Sequence, residues 1–151
     1  MKARDIMTPK PFVVSPTDSV SKAAEIMRYE GVGGVPVVTD PAKPRLAGMI
    51  TDRDIVIRCV ARGHQALCPV SDVMTPMPLL TVLPDADVSE IVSKMESAEV
   101  RRIPVVSDDG ILIGIVAEAD IATKLSPLEA LPLRKRVQQN SAEPHISPDV
   151  R

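Results

Sequence analysis

Two stretches of the chain carry apolar residues at the spacing of a helix face. Val20, Ala23, Ala24 and Met27 follow i, i+3, i+4, i+7, and Val88, Ile91, Val92 and Met95 repeat that spacing. Such a pattern predicts an amphipathic helix with one side turned to a core. After each helix the pattern changes. Val35-Pro36-Val37-Val38 and Ile103-Pro104-Val105-Val106 are short, rich in β-branched residues and continuously apolar, as is Ile111–Val116. Runs of this kind predict strands that need cover on more than one face. Short strands are also predicted near Phe12–Val14 and Leu79–Val82, ahead of helices that Thr17 and Asp85 are placed to cap. The first helix is expected to end by Tyr29–Gly31 and its counterpart at Glu99. Asp108-Asp109-Gly110 is a hairpin turn, replaced earlier in the chain by the longer Thr39–Pro44 loop with Pro41 and Pro44. A second pair of helices is expected to start near Asp52 and Glu118.

The elements come twice because the sequence does. Asp5-Ile6-Met7-Thr8-Pro9-Lys10-Pro11 recurs as Asp72-Val73-Met74-Thr75-Pro76-Met77-Pro78. Gly48-Met49-Ile50-Thr51-Asp52-Arg53-Asp54-Ile55 recurs as Gly114-Ile115-Val116-Ala117-Glu118-Ala119-Asp120-Ile121. Each unit reads β-α-β-β-α, repeat 1 over 2–65 and repeat 2 over 66–126. A unit so small buries too little surface to stand alone. The expected fold class is therefore α+β, a sandwich of two such repeats packed sheet against sheet with pseudo-two-fold symmetry. The remainder, 127–151, is expected to be a partly disordered tail: Leu128–Val137 has a marginal helical pattern, and Gln138–Arg151 is polar and carries Pro144 and Pro148.

Composition narrows the function. Aromatics are 1% of the 151 residues, with no Trp, so stacking platforms for single-stranded nucleic acid and aromatic cages for cations are excluded. Eighteen basic against 20 acidic residues give a net charge of -2, which argues against non-specific nucleic-acid binding. No apolar run approaches the roughly 20 residues of a membrane span, and the amino terminus lacks the apolar stretch of a signal peptide. A cytoplasmic protein is expected, with Cys59 and Cys68 as free thiols, although a bridge between them is possible on spacing.

The paired D-[IV]-M-T-P and G-x-[IV]-x-x-x-D-I motifs, with GMITDRDIVIR at Gly48–Arg58 and VRRIPVV at Val100–Val106, resemble the tandem cystathionine-β-synthase (CBS) domain pair, or Bateman module. The resemblance runs from about Lys2 to Leu125 and is greatest to small stand-alone bacterial pairs of the hypoxic-response-protein type. It implies a non-enzymatic regulatory protein that binds an adenosine-containing ligand such as AMP, ATP or S-adenosylmethionine in clefts between the repeats. It also implies association of helices into a flat homodimer and control of a protein target not encoded here. No other cofactor is required.

Carried onto this chain, each cleft combines the Thr-x-x-Asp of one repeat with the x-Pro-Val strand of the other. Asp54 could accept hydrogen bonds from both ribose hydroxyls, and Thr51 with the free N–H groups of its helix could hold a phosphate. The plainer role of Thr51 and Asp54 is a capping box. Repeat 2 has Ala117 in place of the threonine yet keeps Asp120, which argues for a ligand role, since a pure cap has little use for its far partner alone. Arg101 and Arg102, ahead of Ile103 and Pro104, would reach phosphates by bidentate bonds. Their plainer role is a solvated pair facing Glu96 or Glu99. At the matching place repeat 1 has Gly33-Gly34, without charge. One cleft would thus gather Thr51, Arg53, Asp54, Arg101, Arg102 and the backbone near Ile103. The other, with Asp120 and Gly33–Val35, would be weaker.

Cys59, His64 and Cys68 raise a zinc alternative, but C-x4-H-x3-C is not a standard tetrahedral set, and a buried thiol explains Cys59 better. His64 and His145 have no nucleophile placed beside them by any motif, so no catalytic residue is assigned. The methionines at repeat-matched positions read as core, and Gly48 and Gly114 as positions of backbone freedom. The competing readings are an interaction module with degenerate clefts, or an enzyme built on a cysteine or metal.

Overall fold

A computed structural model describes residues 1–125; the tail at 127–151, with the marginal helix at Leu128–Val137 and His145, lies outside the described residues. The order is α1 (Ala3–Ile6), β1 (Thr8–Pro9), α2 (Val20–Glu30), β2 (Gly34–Val38), β3 (Leu46–Thr51), α3 (Asp52–Asp54), β4 (Thr75–Pro76), α4 (Val88–Ala98), β5 (Arg102–Val106), β6 (Leu112–Ala117) and α5 (Glu118–Lys124). Helix α3 runs on as π-helical turns over Ile55–Val60, and a 3-10 turn covers Val70–Asp72.

The long helices bury the faces their spacing predicts: Val20, Ala23 and Met27 in α2, and Val88, Ile91 and Met95 in α4. Helix α2 stops at Gly31 in the left-handed region (φ 63°), as α4 does at Glu99 (φ 54°). The starts differ from expectation. Ser19, not Thr17, caps α2, its hydroxyl accepting the Lys22 N–H at 3.2 Å. Thr17 is instead held against Ser15 (3.1 Å) inside a turn closed by the Ser15 N–H on Asp18 (2.8 Å). In the same way α4 begins after Asp87, while Asp85 pairs with Arg4 at 2.6 Å.

The strands predicted at Phe12–Val14 and Leu79–Val82 shrink to single parallel bridges, Val14 to Val37 and Val82 to Val105. Pro11 and Pro16 flank one and Pro78 and Pro84 the other, and proline cannot donate to a ladder. The sheets open instead with the Thr-Pro pairs. One sheet is ordered β2-β3-β4 and the other β1-β6-β5. Strand β1 of repeat 1 therefore pairs with β6 of repeat 2, and β4 of repeat 2 pairs with β3 of repeat 1. The two D-x-M-T-P segments are exchanged.

Packing follows the exchange. Ala3 and Ile6 are fully buried among Val88, Ile91, Met95 and Ile103, while Val70 and Val73 are fully buried in a cluster with Val14, Val20, Ala23 and Ile50. Each of the valine, isoleucine and methionine side chains contributes about 1.5–3 kcal/mol by burial. A smaller cluster of Val38, Leu46, Val106 and Leu112 joins the two halves, with Arg45 and Ile111 bridged across it. The exchange also explains Gly48 and Gly114 better than backbone freedom does. A Cβ at Gly48 would stand 2.6 Å from the Thr75 carbonyl oxygen, and one at Gly114 3.0 Å from that of Thr8 and against Met7 Sδ. The glycines let the exchanged segments lie on the sheets.

Candidate functional site

Strand β3 ends at Thr51, where extended backbone (φ -115°, ψ 163°) turns into α3. The Thr51 hydroxyl accepts the Asp54 N–H at 3.1 Å, and the Thr51 N–H donates to Asp54 Oδ2 at 3.0 Å. The capping box is thus formed, with Asp54 largely buried (side chain 14% exposed). Its other oxygen, Oδ1, lies 4.0 Å from Arg58 Nε and keeps acceptor capacity for a ligand. Arg58 in turn donates to the Val73 and Met74 carbonyls (3.4 and 3.1 Å), tying this helix to the exchanged segment beneath it.

Across the cleft, Arg101 and Arg102 stand at the entry to β5. Arg101 faces Glu118, Nε to Oε2 4.0 Å. The chain geometry explains this: the Glu118 N–H donates to the Arg101 carbonyl at 2.9 Å, so the two side chains start side by side. Arg102 lies over the bare backbone of Gly33 and Gly34. A Cβ at Gly33 would meet Arg102 Nη2 and sit 3.1 Å from Asp52 Oδ2, and one at Gly34 would sit 3.2 Å from Arg102 Cδ. The glycine pair that lacks charge provides the space for the other repeat's guanidinium.

These groups line one cavity of about 1350 Å³. Thr51, Asp52, Arg53 and Asp54 come from one side, and Arg101, Arg102 and Pro104 from the other. Its apolar walls are Met49, Ile57, Leu79, Leu80 and Val100, with Glu99 and Glu118 among the polar residues. Ile103 is fully buried in the core, and neither it nor Asp120 lines this cavity. Sequence reasoning missed Asp52, Glu99, Glu118 and the Leu79-Leu80 wall. A usable signal for the last was the unbroken apolar pair two residues past D-V-M-T-P.

At the matching place in repeat 2 the Ala117 N–H donates to Asp120 Oδ2 at 3.3 Å. This corrects the argument that an acid without its threonine must serve a ligand. The far residue accepts the N-cap N–H whether or not the near side chain has a hydroxyl, so Asp120 has a structural use of its own.

The zinc alternative does not gather a ligand set. Cys59 Sγ meets Cys68 Sγ at 3.7 Å, but His64 approaches Cys59 through its backbone carbonyl (3.7 Å). Among the described residues no group of three or more His, Cys, Asp or Glu is placed to hold a metal ion, and no helix is long and apolar enough to cross a membrane.

A family model described as the CBS domain matches residues 3–60 and again 70–127. Hypoxic response protein 1 of Mycobacterium tuberculosis is 38% identical over 123 residues, 82% of this chain and 84% of that protein. A crystal structure of hypoxic response protein I with two coordinated zinc ions superposes with a TM-score of 0.74 at 37% identity, over 83% of this chain and all (100%) of that one. Two solved relatives hold adenosine compounds. CBSX2 in complex with AMP (29% identity, TM-score 0.69) covers 88% of this chain and 98% of its own. The CBS domain pair of protein MJ0100 with 5'-methylthioadenosine and S-adenosyl-L-methionine (28% identity, TM-score 0.71) covers 82% and 94%.

Proposed function

Because the chain belongs to the CBS-domain family, we propose that it is a non-enzymatic regulatory module that binds an adenosine-containing ligand of the AMP, ATP or S-adenosylmethionine type. The observation that carries this reading is the cleft joining Thr51, Arg53 and Asp54 to Arg101, Arg102 and Pro104. Asp54 Oδ1 takes ribose hydroxyls as an acceptor. The three arginines supply the donors for phosphate or carboxylate. The adenine rests on the aliphatic walls at Met49, Leu79 and Leu80, as a ring-poor chain requires. Relatives solved with AMP and with S-adenosylmethionine support the ligand class.

The two clefts are unequal in this reading: the Asp120 side lacks both the hydroxyl and the arginine pair, so one ligand dominates per chain. Val56, Ile57 and Val60, all at least 46% exposed on one helical stretch, form the face through which two chains associate in the cytoplasm. Ligand would then control a protein target by binding one arrangement of the halves more tightly than another.

Calorimetric titration of the full chain with AMP, ATP and S-adenosylmethionine tests the proposal. Saturable binding of about one ligand per chain is expected. Silence with all three, together with unchanged melting in a thermal-shift screen, would leave the degenerate-cleft interaction module as the reading.

A further inference from the structure

The two cysteines meet outside the cleft. Cys59, in the π-helical turns after α3, is 2% exposed, and its Sγ lies 3.7 Å from that of Cys68. The chain between them turns at Gly63 (φ 71°) and folds back over Cys59, whose sulfur also faces the His64 and Gln65 carbonyls at 3.7 Å. Cys68 is half-buried in the loop that leads to Pro69. That loop is fastened to the start of α2: the Val20 N–H donates to the Cys68 carbonyl at 2.9 Å, the Ser21 N–H to that of Ala66 at 2.9 Å.

We infer that Cys59 and Cys68 are a dithiol that closes reversibly to an intramolecular disulfide, joining the end of the helix that carries Asp54 and Arg58 to the loop that holds the start of α2. Both sulfurs are already in contact, and closure to about 2.05 Å needs movement only of the half-buried Cys68 side chain and its loop. The side chains ahead of Cys68 are exposed, Leu67 at 77%, so none of them has to be repacked when the Cys68 side chain turns toward Cys59.

The oxidant is a low-molecular-weight disulfide. The more accessible Cys68 thiolate attacks one of its sulfurs, releasing one thiol and leaving a mixed disulfide on Cys68. The Cys59 sulfur then attacks Cys68 Sγ and expels the second thiol. Two S–H bonds are lost, one S–S bond forms, and the reagent leaves as two thiols carrying both protons. Burial, and then the neighbouring Cys59, push the Cys68 thiol above its ordinary value, with Asp72 adding to the effect. The pair is therefore slow to oxidise at neutral pH and speeds up as pH rises. A cytoplasmic disulfide of this kind reports oxidising conditions rather than stapling the fold permanently.

The test uses the full native chain, equilibrated in glutathione buffers of increasing oxidised fraction, quenched by alkylation and read by intact mass and peptide mapping. Loss of both alkylation adducts together, a mapped Cys59–Cys68 cross-link, and recovery of both with dithiothreitol are expected. Two adducts retained in fully oxidised glutathione, glutathione remaining on Cys68 alone, or disulfide-linked dimers would each overturn the inference. Cys68→Ser, at the less buried position, and Cys59→Ala should each keep the fold, checked by circular dichroism, and lose the internal cross-link. The result does not depend on whether the cleft binds an adenosine compound.

Discussion

The starts of α3 and α5 are the same device built at two strengths. Both begin at the end of a sheet strand, and in both an acid three residues on accepts the N-cap N–H, Asp54 from Thr51 at 3.0 Å and Asp120 from Ala117 at 3.3 Å. One turn later each helix sends a cation to the exchanged segment beneath it: Arg58 to Val73 and Met74, Lys124 to Ile6 at 3.0 Å. Only α3 adds a hydroxyl and a second carbonyl contact, and only its capping acid lines this cavity, which α5 reaches through Glu118 instead. The shared parts hold the fold, and among the parts found once the cleft-lining acid is the one the proposed ligand uses.

That separation is strongest in binding. Asp54→Ala should weaken AMP by about 10-fold or more, the loss of one or more charge-assisted hydrogen bonds, whereas Asp120→Ala should change affinity by less than about 2-fold. Equal losses in the two variants would break the comparison. The cations come next. Arg58→Met should lower unfolding free energy by about 1.5 kcal/mol and Lys124→Met by about 1 kcal/mol in denaturant melts, since one makes two carbonyl contacts and the other one. Reversal of that order would show the carbonyl contacts are not what the cations contribute.

Smaller again is the hydroxyl. Thr51→Ala should cost about 1 kcal/mol of stability, and Ala117→Thr should return about 0.5–1 kcal/mol by completing the second cap. A destabilised Ala117→Thr would mean that the second helix start cannot accept the first one's geometry.

The α2 and α4 starts give the smallest difference. The Ser15 N–H on Asp18, then Lys22, hold that carboxyl below its ordinary value, while the matching position in repeat 2 is Ala86. With the folded pKa depressed, Asp18 contributes stability above the ordinary carboxylate range, and this is lost as pH falls through the folded value. The unfolding free energy of Asp18→Asn in denaturant melts should accordingly fall less than that of the parent between pH 7 and about 3, a difference of under about 1 kcal/mol.

Much of this was readable beforehand. The helix faces and the hairpin at Gly110 follow from periodicity and turn chemistry, and the meeting of Thr51, Arg53 and Asp54 with Arg101 and Arg102 in one cavity was implied by the resemblance to the CBS pair. The exchange of the D-x-M-T-P segments was not readable. A two-residue strand leaves no alternation to detect, and which sheet it joins is decided by long-range fit at Gly48 and Gly114. Capping residues were misplaced by two positions because Ser15–Ser19 offers several side chains able to bond backbone, and local turns compete with caps for them. Arg102 was expected in the cleft, but its resting place over Gly33 depended on the absence of a side chain in the opposite repeat, which only packing reveals.

The reciprocal lending of Ile6 and Val73 has a genealogical consequence. A chain encoding one unit would carry a bare sheet edge and a spare segment, and a second copy of that chain would satisfy both. Two-fold assembly of single units, followed by fusion of their genes, reaches the present architecture without inventing a contact. After fusion the two copies are free to diverge wherever the loan is not involved, and the helix starts are among the places where they have done so.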